Sequence, residues 1–229
     1  MDTDLHLALC NSISEETQSI TAELMEAGLD SVMDDGLLKE VPILSVAVSL
    51  YKIGRSVQER HYVKKLAAFI DALNKGIIDE EKREYYRSKM IDIPKQRDKE
   101  LEYILVIIDR YIHPNKAEKL ARAYLRFLDT DITWLEYAKI AETLDRLLPG
   151  DYDLLASSFP LVVKNCEIND SFLRLTSHGL IMQTHDSSPF VSDGNHGMMI
   201  TASDIERIGN NEVIYERTPF GDTFINCTQ

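Results

Sequence analysis

Residues 36–73 read GLLKEVPILSVAVSLYKIGRSVQERHYVKKLAAFIDAL, and their periodicity decides the fold class. Pro42 suits a first helical position, where its missing N–H costs nothing. From Ile43 to Ile53 the residues are apolar nearly all round, interrupted by Ser45, Ser49 and Lys52. From Gly54 the segment turns basic and amphipathic. Val57, Tyr62, Leu66, Phe69, Ile70 and Leu73 supply its apolar stripe. Asn74-Lys75-Gly76 stops it. The segment predicts one central helix over about 42–73, packed in a mainly α domain.

Helical signals continue on both sides. Ser12-Ile13-Ser14-Glu15 reads as a capping box opening a helix that runs to about Met33, where Asp34-Asp35-Gly36 ends it. A short charged helix is expected at 79–90, before Pro94. Leu101, Ile104, Leu105, Ile108 and Ile112 then recur at the spacing of a core-facing stripe, predicting a helix at 96–112. His113-Pro114-Asn115 separates it from a helix at 116–128. A last helix follows Asp129-Thr130-Asp131 and ends before Pro149-Gly150. Residues 1–148 thus read as a multi-helix domain with short turns.

After Pro149-Gly150 the texture changes. One or two short helices are expected over 151–164, broken at Pro160. Residues 169–178 read as a helix capped by Asn169 or Asp170, and Gly179-Leu180-Ile181 turns into a strand. Residues 185–197 read as a loop, Ser203 as the cap of a short helix at 204–208, and Gly209-Asn210-Asn211 as a turn. Glu212–Arg217 is a strand, and Thr218-Pro219 opens a final helix with Thr as cap and Pro at the first position. Helix, strand, loop, strand, helix is the order of a winged helix-turn-helix. Residues 151–229 are therefore expected to form a small winged-helix-like α+β domain.

Charge is distributed unevenly. The net value is −13, yet residues 41–89 carry ten bases against six acids. Residues 150–229 carry eleven acids against four bases, Lys164, Arg174, Arg207 and Arg217. An acidic C-terminal domain argues against nucleic acid as a partner, because phosphate contacts supply most of that affinity. Its helix at 169–178 offers Phe172, Arg174 and His178 as candidate partner contacts. The basic flank Lys52, Arg55, Arg60, Lys64 and Lys65 suits anionic lipid headgroups. Ile43, Leu44, Val46, Val48, Leu50, Tyr51 and Ile53 form the segment with the composition to meet a bilayer or further copies of the chain, or to fill the core. At about 1.5 Å per residue, 41–57 reaches roughly 25 Å, a little short of a hydrocarbon core.

Three well-separated cysteines, Cys10, Cys166 and Cys227, fit a reducing compartment better than a disulfide frame. MDTDLHLALC lacks the basic start of a signal peptide, and no run of 18 apolar residues exists. A cytoplasmic location is expected. His178, His185 and His196 with Asp186 and Asp193 match no metal spacing. No G-x-x-x-x-G-K-[ST], G-x-S-x-G, H-E-x-x-H or G-x-G-x-x-G occurs. No metal, cofactor or catalytic group is expected.

Three blocks of the chain resemble the abortive-infection alpha family of bacterial and prophage proteins. They are Leu37-Leu38-Lys39-Glu40-Val41-Pro42-Ile43, then Leu50-Tyr51-Lys52-Ile53-Gly54-Arg55-Ser56 with Lys65-Leu66, and a C-terminal pair. That pair is Leu173-Arg174-Leu175-x-x-x-Gly179-Leu180-Ile181 and Tyr215-Glu216-Arg217-Thr218-Pro219-Phe220-Gly221. Arg217 stands where the family's usual ending has Leu. The resemblance implies phage defence or superinfection exclusion and brings no catalytic residues. Joined to the composition of 41–57, it leads to an expected non-enzymatic effector. Such a protein would sense a phage protein, form a homo-oligomer and move conditionally to the inner membrane to disrupt it. A winged-helix DNA-binding regulator, and a helical inhibitor of a single phage or host protein, are the alternatives.

Overall fold

The computed structural model describes residues 5–26, 40–51, 56–77, 79–184 and 212–229. It is mainly helical, with a small three-stranded antiparallel sheet. The chain divides into two compact units, Met1–Asp145 with Cys227–Gln229, and Arg146–Asn226.

The first unit runs through α1 (Leu5–Asn11), α2 (Glu15–Glu26), α3 (Pro42–Tyr51), α4 (Val57–Gly76), α5 (Glu80–Ile91), α6 (Pro94–Arg110), α7 (Pro114–Leu128) and α8 (Trp134–Arg146). Two differences from the sequence reading are instructive. The single helix expected over 42–73 is two helices. Ser56 begins the second with a capping box: its hydroxyl accepts the N–H of Glu59 while Glu59 accepts the N–H of Ser56 at 2.9 Å. The S-x-x-E spacing satisfies two otherwise unpaired donors, and it lay hidden inside a run that reads as continuously helical.

The N-terminal expectation also shifts. Ser14, not Ser12, caps the helix that follows, its Oγ accepting Thr17 N–H at 3.1 Å. A separate short helix, α1, precedes it. The expected end at Met33 lies outside the described residues.

Helix α4 is the centre of this unit. It packs along α7 and α2, and also touches α3 and α6. Tyr62, Val63, Leu66, Ala67, Ala68, Phe69, Ile70, Ala72 and Leu73 are all buried, whereas Val57, expected in the same stripe, stands at the first turn and is exposed. A helix sheathed on several sides buries more than one stripe, and its small residues let neighbours approach. Pro94 and Pro114 sit at the starts of α6 and α7, where a proline ring is pre-organised.

The second unit contains α9 (Pro149–Ala156), β1 (Leu161–Lys164), a 3-10 turn at Asn165–Glu167, α10 (Asp170–Ser177), β2 (Ile181–Thr184), β3 (Glu212–Arg217) and α11 (Pro219–Thr228). Strand β1 replaces the second helix expected before 164. Leu161-Val162-Val163-Lys164 alternates half-buried and exposed positions, the period-2 pattern of a strand with one covered face. β3 lies between the other two and pairs antiparallel with both. Leu161 stands opposite Tyr215, and Ile181 opposite Arg217. The short helix expected at 204–208 and the loop at 185–211 lie outside the described residues.

Candidate functional site

Each segment singled out by sequence has a definite local setting. In α3, Ile43 and Leu44 are buried with Val41 and Ala47, whereas Val46 is half-buried. The side chains of Val48, Leu50 and Tyr51, and residues Lys52, Ile53 and Arg55 entirely, lie outside the described residues. α3 packs on α1 and α4. Its ten residues reach about 15 Å. Among the described residues no helix is long and apolar enough to cross a membrane.

The start of α3 is held from a distance. Val41 precedes it and has no side-chain acceptor. The missing acceptor comes from Ser12, whose Oγ receives Ile43 N–H at 3.0 Å and donates to Ala8 O at 2.8 Å. Asn74 of α4 then donates to Ser12 O at 3.0 Å and to Ile70 O, and its Oδ1 accepts from the Arg83 guanidinium at 3.3 Å. Ser12, Asn74 and Arg83 are all buried. This polar centre ties α1, α3, α4 and α5 together. Sequence reasoning missed it: Ser12 reads as the cap of the next helix, Asn74 as a helix stop and Arg83 as one charge of a short charged helix.

The expected basic flank separates into two kinds of residue. Arg60 and Lys64 are half-buried on α4. Lys65 is not a surface group. Only 4% of it is exposed, and its Nζ donates to Asp109 O at 2.6 Å and Tyr111 O at 2.7 Å. These carbonyls end α6, where backbone acceptors have no intrahelical partner. The lysine therefore caps a neighbouring helix and is spent on protein rather than lipid. Burial lowers its pKa, against the charges of Asp109 and Asp145, which act to raise it.

The expected partner-contact helix, α10, also differs from the sequence reading. Phe172 faces inward and packs its ring, tilted, against Tyr215, with ring centroids 4.8 Å apart. Arg174 makes a two-pronged ion pair with Asp151: Nε to Oδ2 and Nη2 to Oδ1, both 2.9 Å. Asp151 is wholly buried. Burial alone would raise its pKa. Hydrogen bonds from Arg174, Ser171 and Leu148 N–H more than offset that and hold its carboxyl below the usual carboxylate range. A planar guanidinium clamped this way has little left for phosphate. Half-buried His178 is lowered by burial first and by the Arg146 charge second, against Asp151. What α10 presents outward is Leu173, 62% exposed, with Asp170, Thr176 and Ser177.

Two glycines set the junctions of this unit. Helix α10 ends in a Schellman arrangement: Gly179, φ +68°, donates to Thr176 O at 2.9 Å and Leu180 donates to Leu175 O at 2.9 Å. Thr218 then caps α11, accepting Gly221 N–H at 2.9 Å, while its own hydroxyl donates to Gly179 O at 2.6 Å. A Cβ on Gly221 would fall 2.0 Å from Leu180 O. The Thr-Pro-Phe-Gly block thus docks a helix start onto the turn before β2.

Among the described residues no cluster of three or more His, Cys, Asp or Glu side chains is placed to hold a metal. His185, His196, Asp186 and Asp193 lie outside them. No family model, curated protein or solved structure matches this chain.

Proposed function

We propose that this chain is a non-catalytic phage-defence protein of the abortive-infection kind, which acts by binding a phage or host protein through a winged-helix-like C-terminal unit. The defence half of this reading rests on the sequence blocks that resemble the abortive-infection alpha family.

The mechanistic half rests on one observation: exposed Leu173 lies beside an Arg174 that is neutralised by buried Asp151. A helix surface of that kind suits apolar protein contact. A phosphate backbone needs free cations. The winged-helix assignment is supported by the order β1, 3-10 turn, α10, β2, β3, with β3 between the other strands. The burial of Val41, Ile43, Leu44 and Ala47, and the use of Lys65 as an internal cap, favour protein contact over membrane insertion by 41–57.

The test is protection of cells against a phage panel by the wild-type chain and by Leu173→Asp, with a membrane-impermeant dye present. An exposed substitution of this kind should change stability by about 0.5 kcal/mol or less. Protection is expected to fall at least tenfold at unchanged protein level, with dye excluded until normal lysis. Wild-type protection by Leu173→Asp would remove α10 as the contact surface. Early dye entry that depends on the protein would replace this reading with membrane disruption by an oligomer. A salt-sensitive mobility shift on DNA would replace it with gene regulation.

A further inference from the structure

Helix α1 is seven residues long, and an isolated helix of that length is not stable in water. It is helical because it is docked. Leu5, His6, Ala8, Leu9 and Cys10 are buried, and the helix lies against α3, α5 and α6. Its first turn is fastened by one carboxylate. Asp98 of α6 accepts the main-chain N–H of His6 at 2.9 Å, and the same oxygen lies 2.9 Å from Nδ1 of the His6 ring. A donor in a first helical turn has no partner inside its own helix, so this contact from α6 replaces one that α1 cannot make. The far end is fastened separately. Asn74 donates to Ser12 O at 3.0 Å, and Arg87 Nη2 donates to Ile13 O at 2.6 Å.

Helix α3 leans on α1 in turn. Ser12, just past the end of α1, accepts Ile43 N–H at 3.0 Å. The ten residues of α3, PILSVAVSLY, carry no charge and pack on α1 and α4. With α1 undocked, α3 loses the acceptor at its start and one of the helices that cover it. Val41, Ile43, Leu44 and Ala47, all buried now, then face water at a cost that grows with their apolar area. The two short helices therefore stabilise each other. α4, in contrast, is twenty residues long and is packed on several sides.

We propose that α1 is a latch on α3. Fastened at Asp98 and around Ser12, it keeps the apolar face of α3 covered, and the two helices open together as one cooperative piece while α4 and α7 stay folded. A piece of this kind opens at lower free energy than the unit as a whole. The latch makes α1 the element that decides when the apolar face of α3 meets solvent or another molecule. It rests on the packing of the helical unit and is independent of α10 as a contact surface.

Cys10, buried in α1, and Cys227, buried in the C-terminal residues of the same unit, are native reporters. The test times thiol labelling of each in the full chain, with amide exchange of peptides from α3 and α4, for the wild type and for Asp98→Ala. Alanine keeps α6 helical and removes the acceptor for His6. Cys10 labelling and α3 exchange are expected to rise by the same factor, about ten- to a hundredfold for a lost hydrogen bond to a charged group, with Cys227 and α4 unchanged. Faster Cys10 labelling with unchanged α3 exchange would overturn the latch. So would a rise shared equally by Cys227 and α4, or no rise anywhere. Should Asp98→Ala fold poorly, the wild type in low denaturant decides alone. One opening free energy common to Cys10 and α3, below that of α4, supports the latch; separate values, or values equal to that of α4, overturn it.

Discussion

The hydroxyl of Ser12 accepts the backbone N–H of Ile43 at 3.0 Å, across 31 positions of sequence. A helix that begins Val41-Pro42 has no cap of its own, and one is supplied by the end of α1. Ser12→Ala should leave Ile43 N–H buried without an acceptor. The expected loss is about 1–2 kcal/mol, read as a lower urea midpoint with an unchanged slope. Asn74→Ala should cost more, since it frees Ser12 O and the buried Arg83 guanidinium together.

Lys65→Met keeps the side chain's length and removes its donors. The carbonyls of Asp109 and Tyr111 then lose a shared partner, and a loss of about 1–3 kcal/mol is expected. Lys64→Met, on the half-buried neighbour, should change stability by about 0.5 kcal/mol or less. Equal midpoints for the two variants would show that Lys65 does not act as a cap.

Gly221→Ala places a methyl group against Leu180 O, backbone that has no freedom to swing aside. We expect at least about 1–3 kcal/mol of destabilisation from this overpacking, confined to the C-terminal unit. Gly179→Ala strains a left-handed residue instead, at a cost of about 1 kcal/mol. Hydrogen exchange resolved by unit is the measurement. Uniform loss of protection across α4 would contradict the expectation.

The Asp151–Arg174 pair predicts acid sensitivity. The carboxyl of Asp151 has a lower pKa folded than its ordinary value of 3.8. A depressed carboxylate contributes stability that is present above the ordinary value and lost as pH falls through the folded one. Melting of the C-terminal unit should therefore be flat near neutrality and fall steeply below about pH 4. Asp151→Asn should lower Tm at neutral pH and flatten that acid limb. An unaltered acid limb in the variant would assign it to other carboxylates.

Much of the architecture was legible along the chain. Leu101, Ile104, Leu105 and Ile108 marked the inner face of α6, whereas Ile112, read as part of the same stripe, lies past the helix end at Arg110 and is 77% exposed; Asn169, Thr218 and Pro219 marked the starts of α10 and α11, because caps and stripes are local signals. Strand β3 was readable at its full extent, 212–217. The break between α3 and α4 was written in Gly54, Ser56 and Glu59, but the apolar pattern continuing on both sides outweighed it. β1 was not readable, because four residues of Leu-Val-Val-Lys become a strand only when β3 offers them a partner.

By itself the sequence determined most helix starts, most of the apolar faces, and that the final unit mixes helix and strand. Those properties follow from dihedral preferences and periodicity within a few residues. Only the tertiary structure decided what the polar residues are for. Lys65 looked like surface charge and is an internal cap; Arg174 looked like a contact residue and is locked to Asp151; Ser12 looked like the cap of the next helix and is the cap of the one that starts at Pro42. A polar group's role depends on which unpaired donor or acceptor lies within about 3 Å, and that neighbour is chosen by the packing of elements distant in sequence.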